Sequence, residues 1–451
     1  MITRRAATAG LATILLGPSR LAGAATPGNS GPWRPLPAEL VAAPGRKRLR
    51  PDAAAEAEIL TLGGHLNPAF RVKSGERLGF TFRNGTSAPL SLHIQGLRGP
   101  NDQDGVGGLT QGPVAPGEAF AYDLVPPEPG TFLIRPCLPG GSAEPMERGL
   151  SALLVIEEPS PPAVDLDLPL LIDDWRLAED GALAPFLPAT APESSAGRLG
   201  NLLAVNGDPV PQRIEAPPGG RVRLRIANSC NARAMRLRFD GLKPAVIAVD
   251  GQPTEAFEPL KASLPLGLGS RYDLLADLPA EADAQAAIVA LIGDGIPLVT
   301  FVTTGKAAPA RPAIAPLVPN PKLPKAIALE KATRKDVLIQ ALDGKPGPWS
   351  LNGATGDAAA PLLKVKRGTP VVLTLINKTP FVQPFHLHGH VFRLLHALDD
   401  GWQPYFLDTV QVPENKTSRI AFVADNPGKW LLESMVTERF DAGLWTWIEV
   451  S

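Results

Sequence analysis

GERLGFTFRN (residues 75–84) places Leu78, Phe80 and Phe82 on alternate positions between an opening glycine and a closing asparagine. That alternation describes a strand with one buried face, and Asn84 marks the turn that ends it. The same template returns as GGRVRLRIAN (219–228) and GTPVVLTLIN (368–377), with apolar residues at +3, +5 and +7 and Asn at +9 from the first Gly. The copies start 144 (219 − 75) and 149 (368 − 219) residues apart, a domain length rather than a solenoid period. Three copies predict three similar all-β domains built as Greek-key sandwiches.

The totals agree. A chain of 451 residues suits two to four domains. A net charge of −1 with 20% charged residues gives neither a basic footprint for nucleic acid nor an acidic tail. Fifty prolines and 44 glycines beside 44% hydrophobic residues describe a loop-rich β protein with enough apolar mass for real cores. MITRRAATAGLATILLGPSRLAGAA opens the chain, with Arg4-Arg5 before a short apolar run and Ala22-Gly23-Ala24 as a small-residue cleavage site. This reads as a twin-arginine export signal over residues 1–25, with a general secretory signal as the alternative, and a periplasmic protein is expected. No later segment has the ~20 apolar residues of a membrane span.

EEPSPPAVDLDLP (157–169) separates the first two domains, expected at 45–158 and 165–304. Residues 305–326, rich in Pro and Ala, read as a semi-extended linker to a third domain at 327–451. ATAPESSAGRLGN (189–201) reads as a surface loop, and Asp173-Asp174 in IDDW as a solvated strand end.

The chemistry-bearing residues follow from extending the repeat. Nine positions past the asparagine stand His93 in LHIQG and His386 in FHLHG, but Leu237 in the second copy. PGTFLIRPC (129–137) and PGKWLLESM (427–435) are a second matched pair, aligning Arg135 with Glu433 and Cys137 with Met435. Counted from the glycine, +5 and +7 share a strand face.

On these segments the chain resembles the three-domain multicopper oxidases, built from cupredoxin-like sandwiches. LHIQGLRGPNDQDGVGG, GTFLIRPC, QPFHLHGHVF and GKWLLESMVTERFDAGL are similar to the family's four copper segments, and VNGDPV, VIAVDGQP, RYDLL, DTVQVP and ADNPGKW to its other motifs. The resemblance implies a blue copper held by one Cys and two His, and a trinuclear cluster held by eight His. Six histidines cannot supply that set. At the blue-copper positions stand Gln383, Ser434 and Arg439, with Leu444 at the axial one. The type 2 histidines remain as His93 and His386. One type 3 position has become Gln95, Arg135 and Met435; the other holds Cys137, His388 and Glu433.

Two readings stand side by side. One is a mononuclear copper or zinc site built from His93, His386 and His388, with Cys137 and Glu433 as further candidate ligands. The other is a retired site in a copper-free binding or scaffold protein with a periplasmic partner, similar in logic to the family's division-associated relative. Arg135 and Glu433 are a candidate buried ion pair that would compete with metal for Glu433. Cys137 has one conceivable partner, Cys230; by resemblance to laccases a disulfide between domains 1 and 2 is expected, against a thiolate ligand or a free thiol. His390 is expected to serve structure, and His65 and His396 to be ordinary.

Overall fold

The computed structural model describes residues 33–342, 348–395, 401 and 403–451. The proposed export signal and His396 lie outside them. The three repeats become the strands Leu78–Asn84, Arg221–Asn228 and Thr369–Asn377, each inside one of three consecutive two-sheet sandwiches. The first packs a five-stranded sheet on a four-stranded one, the second a seven- on a five-stranded, and the third two five-stranded sheets. In every copy the residues at +3, +5 and +7 are buried, each contributing ~1.5–3 kcal/mol of apolar burial.

The terminal asparagine does the same task three times. Asn84, Asn228 and Asn377 are buried, and the Oδ1 of each accepts the backbone N–H two residues on, from Thr86, Cys230 and Thr379. Their Nδ2 groups donate across to the carbonyls of Val114, Leu266 and Val412. The strand end is thereby tied to the neighbouring loop. This satisfies backbone groups that a turn would otherwise leave unpaired.

The middle repeat departs from simple alternation because its second face meets domain 1. Arg223 and Arg225 are buried there on Asp273, Glu158 and Asp167, with Thr131 of domain 1 donating to Asp273 at 2.6 Å. The Pro/Ala-rich segment after residue 304 is pinned along domain 2. Ala308 donates to the Pro218 carbonyl, Arg311 pairs with Asp165, and Leu317 packs on Ile247 and Leu275.

Two expectations need correction. Asp173 and Asp174 are not solvated: each is 1% exposed, because domain 1 covers that strand end. Asn67 of domain 1 donates to Asp173, while Gly200 and Arg233 donate to Asp174. The Cys137–Cys230 disulfide is absent; both thiols are free and buried. Cys137 packs with Val106, Leu431 and Phe440 between domains 1 and 3, whereas Cys230 lies beside Asp173 and Asp174. The two face different seams.

Glu147 shares the domain 1–2 seam, accepting the Arg176 N–H at 2.9 Å and facing Arg198 at 2.8 Å. Burial raises its pKa to about 8, against the opposing pull of Arg198. A folded-state pKa above the ~4.3 of an unfolded Glu means stability present at acid pH that is lost as pH rises toward 8, by up to ~1.4 kcal/mol per unit. Glu147→Gln keeps the acceptor and should remove this component. Urea midpoints at pH 5, 6.5 and 8 should therefore fall less in the variant, and parallel curves would refute the assignment.

Candidate metal centre

The site forms where the strand Leu92–Gln95, at a sheet edge of domain 1, meets the strand Gln383–Leu387 of domain 3. Strand register sets the cross-partners: His93 lies opposite Arg135, and His386 opposite Glu433. Alternation puts His386 and His388 on one face, so His93, His386 and His388 converge with ligand atoms within 4.8 Å of one another. Cys137, His388 and Glu433 converge likewise. All five are buried.

His93 and His386 are oriented alike. Nδ1 of His93 donates to the Asp104 carbonyl at 2.7 Å, and Nδ1 of His386 to the Asp408 carbonyl at 3.0 Å. That assignment fixes the tautomer, leaving both Nε2 lone pairs free. The two Nε2 atoms face each other at 3.3 Å. Burial lowers both pKa values, that of His386 to about 4, so both rings are neutral near pH 7. Two opposed lone pairs at that distance suit a shared cation. The spacing fits two nitrogens on one ion with ~2.0 Å bonds at a near-tetrahedral angle.

His388 is held differently. Its Nδ1 donates to Asp104 Oδ2 at 2.9 Å and its Nε2 to Glu433 Oε1 at 3.1 Å. Burial alone would depress its pKa, but Asp104 and Glu433 raise it to about 9. Both ring nitrogens carry protons in that state and neither can ligate. Glu433 also receives Nη1 of Arg135, and the Cys137 thiol lies 3.7 Å from its Oε2. Burial would raise the Glu433 pKa, yet Arg135 and His388 hold it well below the usual carboxylate range. Burial, then Glu433, pushes the Cys137 thiol up, away from the thiolate a metal needs. Arg135, His388, Asp104 and Glu433 thus form a balanced set of two cations and two anions.

At the other vacated positions, Gln95 donates to the Gly269 carbonyl and to Thr409 Oγ1, both at 3.0 Å. Met435 is buried beside Gly269. The positions matching a blue copper are filled by an arginine. Arg439 Nη1 donates to Gln383 Oε1 at 2.9 Å and to the Val382 carbonyl at 2.8 Å, and its Nε donates to the Ser195 carbonyl at 2.9 Å. Burial lowers its pKa only to about 10, so it is charged at neutral pH. Gln383, Ser434 and Leu444 are 0% exposed. A cation, an amide and a hydroxyl do not fit a blue copper, which takes thiolate and imidazole. The loop 189–201 is less peripheral than its composition suggests, since Ser195 is one of the groups closing this pocket.

His390 donates from Nδ1 to the His388 carbonyl at 3.1 Å and packs on Trp430 and Phe422, while His65 is exposed. Sequence reasoning did not foresee Asp104 and Asp408 as histidine clamps. Both sit in quoted motifs, NDQDG and DTVQVP, but nothing in those strings says which ring each would touch.

Three cupredoxin-like sandwiches with paired histidines at the seam of the first and third define a three-domain copper-protein architecture. Multicopper oxidase models match residues 45–161, 168–304 and 319–451, and the chain belongs to the multicopper oxidase family. It superposes on the crystal structure of a multi-copper oxidase from Pseudomonas thermotolerans with a TM-score of 0.82 at 31% identity, over 94% of this chain and 100% of that one. It is 27% identical to multicopper oxidase MmcO of Mycobacterium tuberculosis over 83% of this chain and 79% of that protein. It is 30% identical to cell division protein FtsP of Edwardsiella tarda over 73% of this chain and 71% of that protein. Among the described residues no helix is long and apolar enough to cross a membrane.

Proposed function

We propose that this chain is a non-oxidase member of its family, exported to the periplasm, where it acts as a binding or scaffold protein. The observation that carries the reading is Arg439 on Gln383, with Ser434 buried in the adjoining strand, at the positions where substrate electrons would have to enter. A buried guanidinium repels a copper ion, and no thiolate is present to conduct an electron onward. The relatives named as cell division proteins support it, as does Arg4-Arg5 for export.

The opposed Nε2 atoms of His93 and His386 favour one alternative, a residual mononuclear site for copper or zinc. An ion there would supply Lewis acidity or, if copper, one-electron chemistry. His388 would join only after giving up Glu433.

Both readings are tested on tag-free mature protein, loaded with copper, by elemental mass spectrometry and oxygen uptake with a phenolic substrate. The non-oxidase reading expects no more than about one metal equivalent and oxygen uptake equal to buffer. Four coppers with turnover would overturn it. Stoichiometric metal that disappears in His93→Ala/His386→Ala would establish the mononuclear alternative.

A further inference from the structure

A cleft of about 1420 Å³ opens where domains 1 and 2 meet and reaches the helix Thr437–Asp441 of domain 3. None of the described histidines lines it. Its walls are largely apolar, with Leu60, Leu90 and Leu138 from domain 1 and Phe186 and Leu187 from domain 2. Phe186 has two guanidinium groups over its ring, Arg198 at 4.5 Å and Arg148 at 5.2 Å from the ring centre.

Two features specify an occupant. The first is a free strand edge. The strand Glu39–Lys47 pairs with Leu78–Asn84 only through Ala42, where Gly85 donates to the Ala42 carbonyl, and then runs on to Lys47. On its other side it pairs with Ala57–Leu62. In that strand Leu60 and Leu62 send their N–H groups outward, to Arg148 and His65, so the bonds to Glu39–Lys47 are made by the intervening residues. By parity, the Pro44 carbonyl and both backbone groups of Arg46 face the vacated side, as the Ala42 carbonyl does. Pro44, Gly45 and Arg46 line the cleft, as do Thr86–Leu90.

The second feature is an incompletely hydrogen-bonded carboxylate. Glu438 lines the cleft yet is 6% exposed. Its Oε1 accepts from Asn231 at 3.0 Å, while Oε2 is buried with no hydrogen-bond partner. Burial raises the Glu438 pKa, against the opposing pull of Asn231 and of the Arg198 backbone N–H, which does not complete a bond to Oε2. Gly197, another lining residue, stands close to that oxygen, with Ala232 and Val436 packed against the same glycine. A buried acceptor left unpaired is costly, and a donor from the cleft would recover that cost.

We propose that this cleft binds an extended, largely apolar peptide segment of a partner protein, aligned along the free edge at Pro44–Arg46 and carrying a basic group to Glu438. The strand edge supplies register, the apolar walls supply burial, and the carboxylate selects charge. The proposal rests on the binding-protein reading and names the chemistry of its partner.

Fluorescence anisotropy on the full mature chain tests it with two labelled octapeptides, Val-Leu-Val-Lys-Val-Pro-Val-Leu and its norleucine-for-lysine counterpart. The lysine peptide should bind about tenfold tighter or more. Glu438→Gln, which retains an acceptor for Asn231, should erase that preference. Ala88→Trp, an exposed position whose new ring would fill the cleft, should weaken both peptides. Circular dichroism should be unchanged in either variant. Undiminished lysine preference in Glu438→Gln, or no binding of either peptide at ~1 mM, would overturn the proposal. The metal count is indifferent to this result. An oxidase could still bind the peptide, and a non-oxidase could fail to, so the two failures remain distinct.

Discussion

Gln383→His/Ser434→Cys/Arg439→His, loaded with copper, should turn blue, whereas the wild type and each single variant should stay colourless. The three positions already converge: Arg439 hydrogen-bonds Gln383 at 2.9 Å, and Ser434 lies opposite Phe385, two residues from Gln383, in the adjoining strand. Leu444, joined through its backbone to Ser434 and Arg439, is buried. What is missing is donor chemistry. Ser434→Cys alone leaves a permanent cation where the metal must sit, and Arg439→His alone leaves no thiolate. The expected change runs from no visible band to an intense one, read with the copper EPR signal. A folded, copper-loaded triple variant without colour would mean that the loss reaches past these side chains into the backbone. Even a blue triple variant should consume no oxygen, because Gln95, Arg135, Met435 and Glu433 stand where cluster ligands would be needed.

The fold was readable because its instructions are local and repeated. An apolar alternation ending in Asn declares a strand and its turn wherever it occurs, and each Asn makes the same clamp. The convergence of His93, His386 and His388 was readable for a related reason: equivalent positions in equivalent domains meet at a shared seam. What escaped depended on how finished domains dock. Asp173 and Asp174 end a strand, and only the arrival of Asn67 and Glu147 from domain 1 turns that end into a buried acidic seam. The disulfide expectation failed similarly, because two cysteines in a chain expected to be exported invite pairing, yet each faces a different domain contact. His388 was read as a candidate ligand, from its alternation with His386 and from the family resemblance, beside the reading of a retired site. That Asp104 and Glu433 would both claim its ring is decided by distances no spacing encodes.

Arg135→Met should be the most destabilising single change at the site, by ~3–5 kcal/mol, because it leaves one anion of a buried pair without its principal partner. Arg135 and Glu433 are both 0% exposed, one contributed by domain 1 and the other by domain 3. The loss should therefore appear as weaker docking of those domains as well as a lower urea midpoint at pH 7. Arg135→Met/Glu433→Gln should recover most of the loss, since it removes both charges and leaves Gln to accept from His388. It could even exceed the wild type, because Nε and Nη2 of Arg135 are buried without partners and the native pair is incompletely satisfied. The pH dependence has a definite sign. Burial would raise the Glu433 pKa, but Arg135 and His388 depress it in the fold, so its contribution is present above the unfolded value of ~4.3 and fades as pH falls below it. Arg135→Met should weaken that acid loss, and the double variant should abolish it. If Arg135→Met costs under ~1 kcal/mol and the double variant does no better, the two residues are neighbours rather than a coupled pair. If the double variant recovers, the ion pair is what now fills the space of a type 3 copper, and each charge persists because the other cannot be left alone.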